Sequence, residues 1–87
     1  NTYTLKVINK AQYEQTFNIK VQGLDNFKYI GKQTFTVQAG QSHNVPLSLV
    51  MDPYDLKAPM TEFSFVLSPV SEPDETISQP SNFFKAR

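Results

Sequence analysis

Strict two-residue alternation at the start of the chain, NTYTLKVINKAQYEQTFNIKVQGL, leaves little choice of fold class. Tyr3, Leu5 and Val7 alternate with Thr2, Thr4 and Lys6, and Phe17, Ile19 and Val21 alternate with Asn18, Lys20 and Gln22. Side chains along a strand point to opposite faces in turn, so each run offers one apolar face to a core and one polar face to water. Helical spacing of three to four residues is absent from both runs. Lys10 to Gln15 has no apolar alternation and reads as the connection between two strands. It is longer than a two-residue hairpin, so the two strands pair directly or sit in facing sheets.

The same pattern recurs downstream. Gly23 to Asn26 is a turn signal, because Gly and Asn tolerate positive φ and Asp caps the backbone. Phe27 to Ile30 is a short apolar patch suited to an edge strand. Phe35 and Val37 alternate with Thr34, Thr36 and Gln38, a run of high β-propensity. After the Ala39-Gly40-Gln41 turn, Val45, Leu47 and Leu49 alternate with Asn44, Pro46 and Ser48. Pro46 has no N–H for a ladder, so this strand lies at an edge or turns Pro46 away from a neighbour. Asp52 to Leu56 predicts one helical turn, with Asp52 as N-cap and Pro53 at the first helical position. Phe63, Phe65 and Leu67 form the last strong strand. Ser68 to Pro80 reads as a loop around the lone Ile77, and Phe83 and Phe84 are expected to pack back on the core.

Strand signals every 8 to 15 residues predict an all-β, immunoglobulin-like β-sandwich of about seven antiparallel strands in two sheets, with residues 1–87 as a single domain. Eighty-seven residues with 39% hydrophobic content, including seven Phe and four Tyr, suffice for one sandwich core. Asn9, which the alternation does not require, is expected to cap the strand end through its side chain.

The chemistry of the side chains assembles no active site, and the expectation is a domain that is not an enzyme. His43 is the one histidine, at the start of a strand, with no orienting carboxylate or nucleophile in view. With no cysteine, this chain has no disulfide, iron–sulfur or thiolate zinc ligand. Eight basic and eight acidic residues cancel, against the basic excess of a nucleic-acid binder. The charge is uneven: residues 1–40 carry +3 and the remainder −3, which gives solvated faces of different chemistry or a polar docking surface. No apolar run approaches the roughly 18 residues of a membrane span. Three ligand alternatives remain open at this level. Asp52 and Asp55 with Glu72, Asp74 and Glu75 are calcium candidates without the ligand spacing of a dedicated loop. His43, Met51 and Met60 are the soft donors of the kind copper(I) accepts. Tyr13, Tyr29 and Tyr54 sit in connections or short strands, where an accessory sugar-binding module would place them.

A resemblance covers nearly the whole chain. Tyr3 to Lys10 (YTLKVINK) followed by Phe17 to Leu24 (FNIKVQGL) resembles the opening of the C-terminal immunoglobulin-like domain of FixG-type proteins. In order, Val37-Gln38-Ala39-Gly40, Val45-Pro46-Leu47-Ser48-Leu49, Asp52-Pro53 with Leu56, Phe63-Ser64-Phe65 and Ser81-Asn82-Phe83-Phe84 before Arg87 fit the same pattern. Lys85-Ala86 departs from the glycine-proline pair found there. FixG-type proteins are membrane polyferredoxins, also called cytochrome c oxidase accessory proteins. The resemblance implies a carboxyl-terminal fragment of a larger membrane protein, on the periplasmic face of the bacterial inner membrane, associated with assembly of cbb3-type cytochrome c oxidase. It implies iron–sulfur clusters elsewhere in the full-length protein and no cofactor here. The partners it implies are the remainder of the same protein and oxidase assembly components, with no nucleic acid and no membrane insertion by this piece.

Overall fold

The computed structural model describes residues 1–85. Its seven strands are β1 (Thr2–Ile8), β2 (Gln15–Gln22), β3 (Phe27–Gly31), β4 (Thr34–Val37), β5 (Ser42–Met51), β6 (Met60–Pro69) and β7 (Ile77–Phe84). They form two antiparallel sheets, β1-β5-β3 and β4-β2-β6-β7, as an immunoglobulin-like sandwich requires. β1 and β2 sit in facing sheets. Every connection up to β6 crosses from one sheet to the other, and only β6–β7 is a hairpin. Little of the fold is therefore stabilised by local pairing.

The alternation decides what lies between the sheets. Val7, Val45, Leu47 and Leu49 from one sheet meet Phe17, Ile19, Phe35, Val37, Phe63, Phe65 and Phe83 from the other, all buried. Tyr3, Leu5 and Val21 share that inward parity but are only half-buried at the sandwich margin. The Tyr3, Phe63 and Phe65 rings meet edge to face, with centroids 5.0–5.7 Å apart, the geometry that aromatic quadrupoles favour.

Asn9 fixes one end of the sandwich. Its side chain is fully buried, and its Nδ2 donates to the carbonyls of Tyr13 (2.9 Å) and Val37 (3.0 Å), with a longer contact to Gln38 (3.3 Å). Its Oδ1 accepts from the Ala11 N–H at 3.0 Å, and its own N–H donates to the Gln41 carbonyl at 2.9 Å. One residue after β1 thus ties the β1–β2 connection to the end of β4 and to the β4–β5 turn.

Pro46 is not on an edge strand: β5 lies between β1 and β3. Leu49 exchanges both backbone hydrogen bonds with Asn1, so odd residues of β5 face β1 and even residues face β3. The Pro46 nitrogen points toward β3 just where that ladder stops, at the Gly31–Leu47 pair. Gly31 is required there. Its φ of +132° is strained for other residues, and a Cβ would stand 3.1 Å from the Pro46 carbonyl oxygen.

Two expectations need correction. Ser68 to Pro80 is not all loop: β6 runs to Pro69, and β7 begins at Ile77 and pairs along the length of β6. Phe83 is buried, whereas Phe84 is 57% exposed, because neighbours in a strand face opposite ways. The Asp52 cap forms as expected, its carboxylate accepting from the Tyr54 N–H at 3.0 Å ahead of a 3-10 turn at Pro53–Asp55. The part of the sequence pattern at Ala86 and Arg87 lies outside the described residues.

Asn9→Ala removes these side-chain bonds and leaves buried carbonyls without donors. The expected loss of stability is about 2–4 kcal/mol, measured as a lower urea midpoint at unchanged slope.

Candidate functional site

The ligand sets suggested by residue type are placed as follows. His43 is the second residue of β5 and Met51 its last, so eight residue steps of extended chain separate them by about 26 Å at roughly 3.3 Å per residue. His43 cannot share a metal ion with Met51. Its ring instead stacks on Phe35, with centroids 5.9 Å apart and planes 13° off parallel. Met51 packs half-buried against the core, and Met60 opens β6 beside Phe84. Among the described residues, no group of three or more His, Asp or Glu side chains is placed to hold a metal ion. Glu72 and Glu75 do meet: the protonated Glu75 carboxyl donates a hydrogen bond to Glu72, and that bond together with the Glu72 charge holds it above the usual carboxylate range.

The three tyrosines form no common platform. Tyr13 follows β1 at the Asn9 end, whereas Tyr54, 94% exposed, lies beyond the opposite end of β5. Tyr29 turns toward the core, and its hydroxyl donates to the Lys32 carbonyl at 3.0 Å.

Two adjoining clefts lie along one flank, between β1 and β7. Three strands face four, so β7 overhangs the edge of the smaller sheet. Ile77 has the inward parity of its partner Leu67 yet is 66% exposed, because no strand covers it. A cleft of about 460 Å³ runs between Leu5, Ile77, Gln79 and Pro80, and opens into a wider one of about 790 Å³ beside Lys6, Lys10, Asp74 and Glu75. Lys6 of β1 and Lys10 of the β1–β2 connection thus border the wide mouth on one side and acids of the β6–β7 connection on the other.

The narrow end is stitched shut. The Asn1 side chain donates to the Phe84 carbonyl and accepts from its N–H, both at 3.0 Å. The Tyr3 hydroxyl donates to the Asn82 carbonyl at 2.7 Å. These contacts also define the free edges. Odd residues of β1 bond to β5, so the backbone groups of Thr2, Thr4, Lys6 and Ile8 face the cleft side. On β7 the even residues face outward, and one of them is Pro80, which has no N–H. A proline on an outer edge blunts it against further pairing. β1 carries no such block.

This flank was not legible from residue types, since its walls are common apolar and polar side chains. The signals for it are Pro80 and the inward but uncovered Ile77.

The family described as "IG-like fold at C-terminal of FixG, putative oxidoreductase" matches residues 1–86. The chain belongs to this FixG C-terminal family. A solved relative, described as a FixG-related protein from Vibrio parahaemolyticus, is 45% identical and superposes with a TM-score of 0.91. The match covers 98% of this chain and 77% of that one. No curated protein matches the chain. The family match extends over β1 to β7, so the stitched flank belongs to the FixG-type body itself.

Burial raises the Tyr3 hydroxyl above its ordinary value. A group with a raised folded-state value contributes stability that is complete below its unfolded value, about 10, and is lost as the pH climbs through the folded value. Tyr3→Phe is expected to cost about 1 kcal/mol at pH 7. It is also expected to flatten the fall in urea midpoint above pH 10, compared with the parent over pH 8–11.

Proposed function

We propose that this chain is a non-catalytic interaction and stabilising domain at the carboxyl end of a FixG-like membrane iron–sulfur protein, on the periplasmic side, and that it serves assembly of cbb3-type cytochrome c oxidase. The observation that carries the reading is the family match over residues 1–86. The unpaired β1 edge and the uncovered Ile77 on one flank support it, since strand edges and exposed apolar side chains are the usual means by which a sandwich recruits another segment. The redox chemistry belongs to cysteines of the longer protein, and this cysteine-free body contributes binding surface and position.

Removing residues 1–87 from the full-length protein is expected to leave its iron–sulfur clusters intact by their visible and electron-paramagnetic spectra, while oxidase activity in membranes falls severalfold. Wild-type oxidase activity in the deletion strain overturns the assembly role.

A copper-binding accessory role is the second reading, and its donor set is His43, Met51 and Met60. The separation of His43 from Met51 along β5 disfavours it. Titration with copper(I) is expected to give no tight one-to-one binding. Stoichiometric binding that disappears in His43→Ala or Met51→Ala reinstates the copper role.

A further inference from the structure

We propose that the free edge of β1 seats an eighth strand, supplied by the polypeptide that leads into Asn1 in the longer protein and running antiparallel to β1. The proposal rests on the reading of this chain as the end of a longer protein.

Four observations carry it. First, β1 is seven residues long, and its outward backbone groups at Thr4 and Lys6 have no partner strand. Second, the sandwich sets three strands against four, and the uncovered inner surface lies beside that edge: Leu67 is half-buried, and Ile77 faces inward but is 66% exposed. A strand added to β1 makes the sheets equal and covers both side chains. In immunoglobulin sandwiches a first strand, A, flanks strand B on this outer side. β1, β2, β6 and β7 take the positions of B, C, F and G, and no strand among the described residues takes that of A. Third, the competing edge is closed, because Pro80 denies β7 a donor on the same flank. Fourth, the solved relative carries more than a fifth of its chain outside the match, ample for one strand.

The geometry also selects the occupant. Asn1 is already paired with Leu49 at the start of the β1–β5 ladder, so the chain enters β1 at the narrow end of the cleft. A turn of about two to five residues returns the preceding segment along Thr4 and Lys6 toward the wide mouth. A second copy of the domain fits less well, since it would bring its own overhanging β7 into the same space. A single strand does not. The segment is expected to be about five to seven residues long, with alternate apolar side chains directed at Leu5, Leu67 and Ile77 and polar ones continuing the Thr2, Thr4 and Lys6 face.

Amide hydrogen exchange, followed by nuclear magnetic resonance, tests this on two proteins: residues 1–87, and the same chain extended by its roughly twenty native upstream residues. In the shorter chain the Thr4 and Lys6 amides are expected to exchange quickly, while Leu5 and Val7, bonded to β5, are slow. In the extended chain Thr4 and Lys6 are expected to slow at least tenfold relative to Leu5 and Val7. Equal relative rates in the two chains overturn the proposal, as do Thr4 and Lys6 amides already slow in the shorter one. Protection that depends on protein concentration also overturns it, in favour of pairing between copies. Ile77→Asp changes an exposed side chain. It is expected to leave the melting of residues 1–87 unchanged but to reduce Thr4 and Lys6 protection severalfold in the extended chain, and undiminished protection there counts against the proposal. None of these readouts involves the oxidase, so failure here leaves the assembly role standing, and failure of the assembly role leaves the strand standing.

Discussion

The two sheets keep their relative position at one pole through the buried Asn9 amide, which follows a strand of one sheet and bonds the end of a strand in the other. A sandwich whose connections cross between sheets must turn its backbone at the poles, and those turns expose carbonyls that no ladder satisfies. Asn9 offers two donors and an acceptor at the point where β1 ends, and it uses all of them on the backbone of two connections. Apolar packing gives the sheets a reason to face one another but is indifferent to small slides. A directional cluster of bonds at one pole makes a slide costly, because each displaced carbonyl would be left buried without a donor. At the opposite pole, the Asn1 side chain performs a similar task between β1 and the end of β7.

Much of this body is legible in the sequence, for a definite reason. Where both faces of a strand have opposite environments, the two-residue period is written into the residues, as in Thr2–Ile8, Gln15–Gln22 and Met60–Pro69. β7 fails that test. Its inward positions Gln79 and Ser81 are polar because the smaller sheet does not reach over them, and Pro80 reads as a loop residue. The same physical cause, an overhanging edge, hides the strand from the pattern and makes its flank the feature of interest. Pairing was less legible still, since alternation gives the parity of a strand but not its neighbour. Pro46 illustrates this: its tolerance in a central strand follows from where β3 ends, a fact about another part of the chain.

The residue types that invite chemistry proved the poorest guides to a site. His43 stacks on Phe35, Asp52 caps a turn, and Tyr29 points inward to bond a backbone carbonyl. Each has a structural occupation that accounts for its presence. The flank between β1 and β7 is assembled from unexceptional residues, and what distinguishes it is an imbalance in strand number.

The bond pair between Asn1 and Phe84 has a mechanical consequence. It brings the first residue and the end of the last strand to one pole of a body 45 Å long and about 20 Å across. The proposed strand along β1 would lead the preceding chain back to the Tyr13 and Gly40 pole, so the body is held there and the Asn1–Phe84 pole rides at the far tip. A small swivel at such an anchorage is amplified along the rod: a 10° tilt carries the tip through about 8 Å, the kind of relative motion expected where a domain is held by a linker. The molecule is built as a boom, and its reach is set by the length of its strands.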